Sequence, residues 1–388
     1  MPVINRVADL AEEVTEWRRD MHENPELLYE VHRTAALVAD KLRAFGCDEV
    51  VTGIGRTGVV GVIKGRRGSG GKVIGLRADM DALPIEEETN APYRSKTPGL
   101  MHACGHDGHT AMLLGAAKYL AETRNFDGTA VMIFQPAEEG GGGGDAMVKD
   151  GLMTRFGIQE VYGLHNWPGH PVGAFAIRPG PLMAAADRFT IKVEGRGGHA
   201  AHPNKTVDTL LVTAQIVVAL QSIASRNVDP LESAVVSVCS FKSGDTYNVI
   251  PQHATLLGTV RTLKPEVQDL VQGRISEIAT SVAAAFGAKA TVDYVRGYPV
   301  TFNHPEQTEF MANVAEMVGT GVTRNVPPQM GAEDFSYMLI ERPGAYIFLG
   351  NGNSAQCHHP AYDFDDSAIP YGVSLWAKII EEGMPAAA

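Results

Sequence analysis

Nowhere in this chain do lysines and arginines gather into a dense tract, and acidic residues outnumber basic ones, 45 to 33, for a formal net charge of -12. That balance disfavours a surface for nucleic acid or anionic membrane and favours small-molecule substrates. Cysteine is scarce as well: Cys47, Cys104, Cys239 and Cys357 are scattered without a paired spacing. A chain of 388 residues needs no disulfide staples, so a reducing compartment is expected, with a thiol still available as a ligand. Long hydrophobic runs are also missing. The most apolar stretch, Thr209 to Leu220, is interrupted by Thr213 and Gln215 and reads as too short and too polar to cross a bilayer. The opening Met1-Pro-Val-Ile-Asn-Arg lacks the basic-then-apolar order of a secretion signal. The expected location is the cytoplasm.

What is present is enough to build a core. The chain is 44% hydrophobic and 20% charged, a globular composition, and it is long for a single core, so two domains are expected. Ile4, Val7, Leu10, Val14, Trp17 and Met21 recur at helical spacing, and a second helix from about Thr34 to Phe45 stops at Gly46. Short apolar runs then alternate with helical ones: strands at Val59 to Ile63, Val73 to Ala78, Ala130 to Phe134 and Val161 to Leu164, with helices around Ala111 to Ala121 and near Ala146. This α/β rhythm predicts a mostly parallel sheet. From Phe189 to Val295 the order becomes strand, long helix, strand, strand, long helix, strand, a β-α-β-β-α-β block. The α/β rhythm resumes near Val300 and ends in a helix from Ile369 to Glu381. The expected division is a discontinuous catalytic domain, 1–185 and 300–388, interrupted by an α+β domain at 186–299.

In open α/β sheets ligands bind beyond the carboxyl ends of the strands, and metal-ligand side chains collect there. Asp79 and Asp81 follow one strand; Cys104, His106 and His109 precede a helix; Glu138 and Glu139 follow another strand; His165 ends a third; His358 and His359 follow a fourth. A cysteine and a histidine one residue apart around Gly105 can point two donors at one ion; alternatively the thiol is a buried apolar group and the histidines cap the helix. Adjacent glutamates are often a solvated face. Here they sit between Pro136 and a glycine run at 140 to 144 that leaves room for a ligand, and diverging carboxylates allow one to bind metal and the other to act as general base. A thiolate, imidazoles and a carboxylate together suit Zn, Mn, Co or Ni. In the inserted block, Gly195-Arg-Gly-Gly-His199, Asn248-Val-Ile-Pro251 and Arg261 form a second constellation. His199 and Asn248 could polarise a carbonyl and Arg261 could hold a carboxylate bidentately, or they could be a capping histidine, a turn asparagine and a surface arginine.

Taken in order, these motifs resemble the M20 metallopeptidase family, in its amidohydrolase branch of hippurate hydrolases, N-acyl-amino-acid amidohydrolases and auxin-conjugate hydrolases. The likeness runs through Arg77-Ala-Asp-Met-Asp-Ala-Leu-Pro84, Met101 to His109, Gln135-Pro-Ala-Glu-Glu139, Gly163-Leu-His-Asn166, Gly197-Gly-His-Ala-Ala-His-Pro203, Asn248 to Pro251, Gly331-Ala-Glu-Asp-Phe335 and His358-His-Pro360. The resemblance implies a zinc-exopeptidase-like catalytic domain and a smaller dimerisation or lid domain. It implies two divalent ions held by Cys104, His106, Glu139, His165 and His358, with Glu138 as general base toward an activated water. Asp79 stands where the wider family has histidine, so Asp79 and Asp81 are expected behind the ligands rather than among them. The resemblance further implies a homodimer, or alternatively a tetramer, in which His199 and Asn248 serve a neighbouring subunit's site and Arg261 meets the substrate carboxylate. The expected activity is hydrolysis of N-acyl amino acids. The rivals are a dipeptidase or exopeptidase of the same family, a Cys104 nucleophile needing no metal, and a noncatalytic metal-dependent binding protein.

Overall fold

In the computed structural model, which describes residues 3–67 and 71–387, the chain forms two units, each with its own apolar core. Met1 and Pro2 of the N-terminal segment discussed above lie outside the described residues. The first unit comprises Met1–Leu182, Phe302–Pro327 and Asp334–Ala388; the second comprises Met183–Thr301 and Pro328–Glu333.

The first unit is built on an 8-stranded mixed sheet. Its order is Glu49–Ile54, Gly58–Lys64, Thr129–Gln135, Val73–Asp79, Glu160–Trp167, Gly344–Gly350, Ala174–Ala176, Gly321–Thr323. The strands from Thr129–Gln135 through Gly344–Gly350 are mutually parallel. Antiparallel pairing is confined to the flanks. The middle strands are buried almost throughout, because helices cover both faces of a parallel sheet and leave neither for polar side chains. The carboxyl ends of three of them, at Asp79, Gln135 and Trp167, lie at one edge of the sheet, which is why their polar residues converge.

Two local expectations shift. The helix expected from Ala111 begins at His106 and runs to Thr123, so His106 and His109 stand in its first turn and Cys104 alone precedes it. This helix is buried nearly all round, including His106, Asp107 and His109; polar ligand-type residues in a buried turn erase the apolar periodicity that marks a helix start. His165 lies inside the strand Glu160–Trp167, opposite Phe348, rather than at its end.

The second unit has a 4-stranded antiparallel sheet in the order Ala234–Ser243, His253–Thr262, Ala185–Glu194, Lys289–Tyr298. Helices Thr209–Ser222 and Pro265–Ala285 bury Val212, Ile216, Val271 and Ile275 with the sheet residues Ile191, Leu256 and Val260. The sequence alternation of strands and helices thus gives the expected β-α-β-β-α-β unit, with a short pairing of Gly198–His199 and Val249–Ile250 added. The first of these helices continues through a π-helical turn, Ile223–Asn227. The helical segment, Thr209–Asn227, therefore runs past the apolar stretch that reads as too short and too polar, to 19 residues, and is apolar enough by length and composition to cross a bilayer. Val212, Ile216, Leu220 and Ile223 commit one face of it to the core of this unit.

Candidate metal centre

The segment ahead of the long buried helix can turn only because residue 105 is glycine. Gly105 has φ +88, and a Cβ there would lie 2.3 Å from Asn166 Nδ2 and 2.5 Å from the Tyr362 hydroxyl. The turn places the Cys104 thiol beside His165, with Sγ 3.3 Å from Nε2. His165 Nδ1 lies 2.7 Å from the Asn166 carbonyl oxygen, and His106 Nδ1 lies 2.8 Å from the Asp81 carbonyl oxygen. A carbonyl accepts only, so each ring donates from Nδ1 and directs Nε2, the atom a metal-binding imidazole offers, away from that bond. His106 Nε2 is buried without a hydrogen-bond partner.

The strand Thr129–Gln135 delivers the paired glutamates through Pro136 and Ala137, the latter in the left-handed region at φ 54. Asp81 holds the turn that follows: its two carboxylate oxygens accept the backbone N–H groups of Glu138 and Glu139 at 3.0 and 3.1 Å. The same residue therefore fixes both glutamates through its side chain and His106 through its carbonyl. Glu139 meets His358 Nε2 at 3.1 Å, and the His358 backbone N–H donates to Ala103 at 2.7 Å. His359 faces away from this set, its Nδ1 accepting from the Ala361 N–H at 3.0 Å. Cys104, His106 and His165 form one group of donors within 4.8 Å of one another; Cys104, Glu139 and His358 form a second; His106, Glu138 and Glu139 form a third. A buried thiol, imidazoles and carboxylates suit borderline divalent ions, and His106 Nε2, without a hydrogen bond and 3.8 Å from Asp79 Oδ2, is an atom such an ion would satisfy.

The glycine run leaves open room at only part of its length. A Cβ on Gly140 or Gly142 would meet nothing within 4 Å, whereas one on Gly143 would stand 1.6 Å from the Pro136 carbonyl oxygen and one on Gly144 2.6 Å from the Asp334 carbonyl oxygen. Gly143 and Gly144 let backbone pack on backbone.

Asp79 and His109 belong to a buried network beneath the donor groups. His109 Nδ1 lies 2.7 Å from Asp79 Oδ1, and its Nε2 accepts the Asn166 backbone N–H at 3.0 Å. Both ring nitrogens are thus committed, which sets His109 apart from His106 and His165. Arg77 donates to Asp79 at 2.6 Å and to Asp334 at 3.1 Å. Asp334 also accepts from Gln135 Nε2 at 2.7 Å and from the Gly144 N–H at 2.8 Å. Burial alone would raise the Asp79 pKa, but His106, Arg77 and His109 hold its carboxyl well below the usual range. Burial likewise disfavours charge on His106, yet Asp79, Asp81 and Glu139 push it up to about 10. Such a ring in the metal-free chain holds a proton where an ion would otherwise sit. Asp334 had no role in the sequence reading; its position in Gly331-Ala-Glu-Asp-Phe335 was the available signal.

His199, Asn248 and Arg261 all fall in the second unit. His199 pairs with Val249, and the Ala200 N–H donates to the Asn248 carbonyl at 3.0 Å, which brings the first two together. His199 Nδ1 accepts from the Ala201 N–H at 3.1 Å, so its proton resides on exposed Nε2. Arg261 stands on the strand His253–Thr262, its Nη1 donating to the Val260 carbonyl at 2.9 Å and to the Thr259 hydroxyl.

A family model described as peptidase family M20/M25/M40 matches residues 75–382. The chain belongs to that family. Among M20 relatives, it is 45% identical over 381 residues to a hippurate hydrolase of Campylobacter jejuni, covering 98% of each chain. It is 43% identical over 353 residues to an N-acetyl-L-cysteine deacetylase of Bacillus subtilis, covering 91% of this chain and 83% of that one. The M20 fold is matched at a TM-score of 0.83 and 34% identity by a solved Bacillus subtilis structure described as a dinuclear metal binding peptidase, covering 96% of this chain and 99% of that one. Divalent metal ions are accordingly the cofactors of this M20 chain, and the donor groups above are of a kind that could hold them.

Proposed function

We propose that this chain hydrolyses the amide bond of N-acyl amino acids, releasing a carboxylic acid and a free amino acid, with two divalent ions of the Zn, Mn, Co or Ni type per subunit. The observation that carries the reading is the Glu138-Glu139 pair held by Asp81 against the thiol and imidazoles. The names of the hippurate hydrolase and N-acetyl-L-cysteine deacetylase relatives support the substrate class. In this reading Cys104, His106, Glu139, His165 and His358 hold the ions, and Asp79 and Asp81 orient them from behind. Bound there, the ions supply Lewis acidity toward the amide.

The chain's own groups do the rest. Glu139 is engaged with His358, and Glu138, beside it on the turn that Asp81 holds and grouped with His106, takes the proton from the attacking water. As the C–N bond breaks, Glu138 delivers that proton to the leaving amine nitrogen and returns to its carboxylate. His199, with its proton on Nε2, donates to the oxyanion that develops on the carbonyl. Asn248 assists it, and Arg261 receives the substrate carboxylate bidentately. We assign these three to a homodimer in which His199 and Asn248 serve the neighbouring subunit. Exposed Leu210, Leu211, Val218 and Phe241 and the unpaired edge of strand Ala234–Ser243 support a subunit contact in this unit. The four free cysteines support a reducing compartment, the cytoplasm.

A screen of hippurate and N-acetyl amino acids beside unblocked dipeptides, each across a Zn, Mn, Co and Ni series, tests the reading. Turnover of the acylated compounds in preference to dipeptides supports it; preference for free-amine dipeptides overturns it.

A further inference from the structure

Cys357 immediately precedes His358 and has no part in the chemistry above. The His358 N–H donates to the Ala103 carbonyl at 2.7 Å, and this bond brings the residues Cys104 and Cys357 alongside each other. Each thiol is the strongest single influence on the proton of the other. Cys104 is buried, whereas Cys357 is partly exposed, so an oxidant from solvent meets Cys357 first. Cys239, by contrast, is exposed and bonds its Sγ to the Ser237 carbonyl at 3.7 Å.

We propose that Cys104 and Cys357 are an oxidative modification site: in the metal-free protein a peroxide converts them to a disulfide that removes Cys104 from the metal centre until a thiol reductant restores it. In the first step the peroxide O–O bond breaks, Cys357 becomes a sulfenic acid and one water leaves. In the second, Cys104 Sγ attacks the Cys357 sulfur, the S–O bond breaks, and the hydroxyl leaves with the Cys104 proton as a second water. Two thiols and one peroxide thus give one disulfide and two waters. The disulfide needs only the juxtaposition of the two cysteines that the His358–Ala103 backbone bond provides; its effect on metal binding rests on the proposed ligand role of Cys104. An ion on Cys104 shields the pair, so loss of metal opens the site to oxidation.

The test treats the full-length metal-stripped protein with hydrogen peroxide. It then maps peptides under non-reducing conditions and titrates Co2+ before and after dithiothreitol. The expected result is a peptide pair linked through Cys104 and Cys357, loss of Co2+ binding, and recovery of binding on reduction. Protein loaded with Co2+ beforehand should give no linked pair, and Cys239→Ser should behave like the unaltered chain. Cys357→Ser and Cys357→Ala, two variants so that one folded protein suffices, should give no linked pair, progress to sulfinic acid at Cys104, and fail to recover with dithiothreitol. Absence of the linked peptide in the oxidised protein, or full recovery in the Cys357 variants, overturns the proposal. A linked peptide with undiminished Co2+ binding overturns its regulatory part together with the ligand role of Cys104, and leaves the substrate reading to its own screen.

Discussion

The guanidinium of Arg77 donates to the carboxylate of Asp334 at 3.1 Å in a wholly buried position, with Asp79 on its other side at 2.6 Å. One cation between two anions is well compensated, and removing one partner of a buried pair is strongly destabilising. Asp334→Ala also strips the acceptor from Gln135 Nε2 and the Gly144 N–H. We expect a loss on the order of 3 kcal/mol, read as a lower urea midpoint with an unchanged slope. A midpoint equal to that of the unaltered chain would contradict the role given to this pair.

Asp81 offers a prediction in rate rather than stability. Its carboxylate accepts two backbone N–H groups, those of Glu138 and Glu139, and hydrogen bonds to a charged group are worth about 1.5–3 kcal/mol each. Asp81→Asn keeps the size but loses the charge and one of the two acceptor oxygens, hence one of the two hydrogen bonds. Turnover should fall roughly 10- to 100-fold, corresponding to that range, with Michaelis constant and Co2+ stoichiometry little changed. Unaltered turnover would show that the turn holds its shape without the anion.

At Gly105 the backbone itself is tested. Alanine there meets Asn166 Nδ2 and the Tyr362 hydroxyl at sub-contact distance and forces a Cβ onto φ +88. Strain of this kind costs about 1–3 kcal/mol, and it falls between Cys104 and His106. Gly105→Ala should weaken Co2+ binding more than Gly99→Ala, where φ is +76 but nothing lies within 4 Å of the added Cβ. Equal effects would assign the need for glycine to φ alone.

A pH window follows from His22, which bridges Asp107 at 2.8 Å and Glu87 at 3.4 Å. Burial opposes charge on His22, but Asp107 and the hydrogen bonds to Asp107 and Glu87 push its pKa from 6.5 up to about 9. Burial would raise Glu87, but hydrogen bonds from His22, Thr89 and the Ser95 N–H bring it from 4.5 down to about 2. For the raised histidine, the stability contribution is fully present below pH 6.5 and is lost as pH rises through 9. For the lowered glutamate, it is present above 4.5 and is lost as pH falls toward 2. The cluster therefore contributes most between about pH 4.5 and 6.5. His22→Gln should flatten thermal stability on both sides of that window, and a variant that keeps the full pH dependence would remove His22 from the account.

The parts of this fold that announce themselves in sequence are those governed by local periodicity. The buried strands Val73–Asp79 and Thr129–Gln135 are apolar runs ended by polar residues, so the edge where Asp79, Glu138 and His165 gather could be read directly. The start of the helix at His106 could not, because a buried helix lined with histidines and aspartate has no polar face to set against an apolar one. Asp81 was legible as a residue near the ligands but not as a clamp, since its partners are backbone N–H groups common to every residue. The contact of Asp334 with Arg77 and the backbone bond of His358 to Ala103 join segments far apart in the chain, and no spacing rule connects them. The glycine run was legible only in part for a related reason: glycine permits both the open space found at Gly140 and Gly142 and the close packing of Gly143 on Pro136, and which one applies is a tertiary fact.

Glu138 is the group on which the proposed chemistry turns, and Glu138→Gln changes its proton affinity while keeping its shape. The decisive measurement is turnover of hippurate or an N-acetyl amino acid by this variant, with metal content determined on the same sample. The account predicts retained metal and a fall of about 10²- to 10⁴-fold, the usual contribution of a positioned proton-transfer group. Retained metal with near-normal turnover would contradict it.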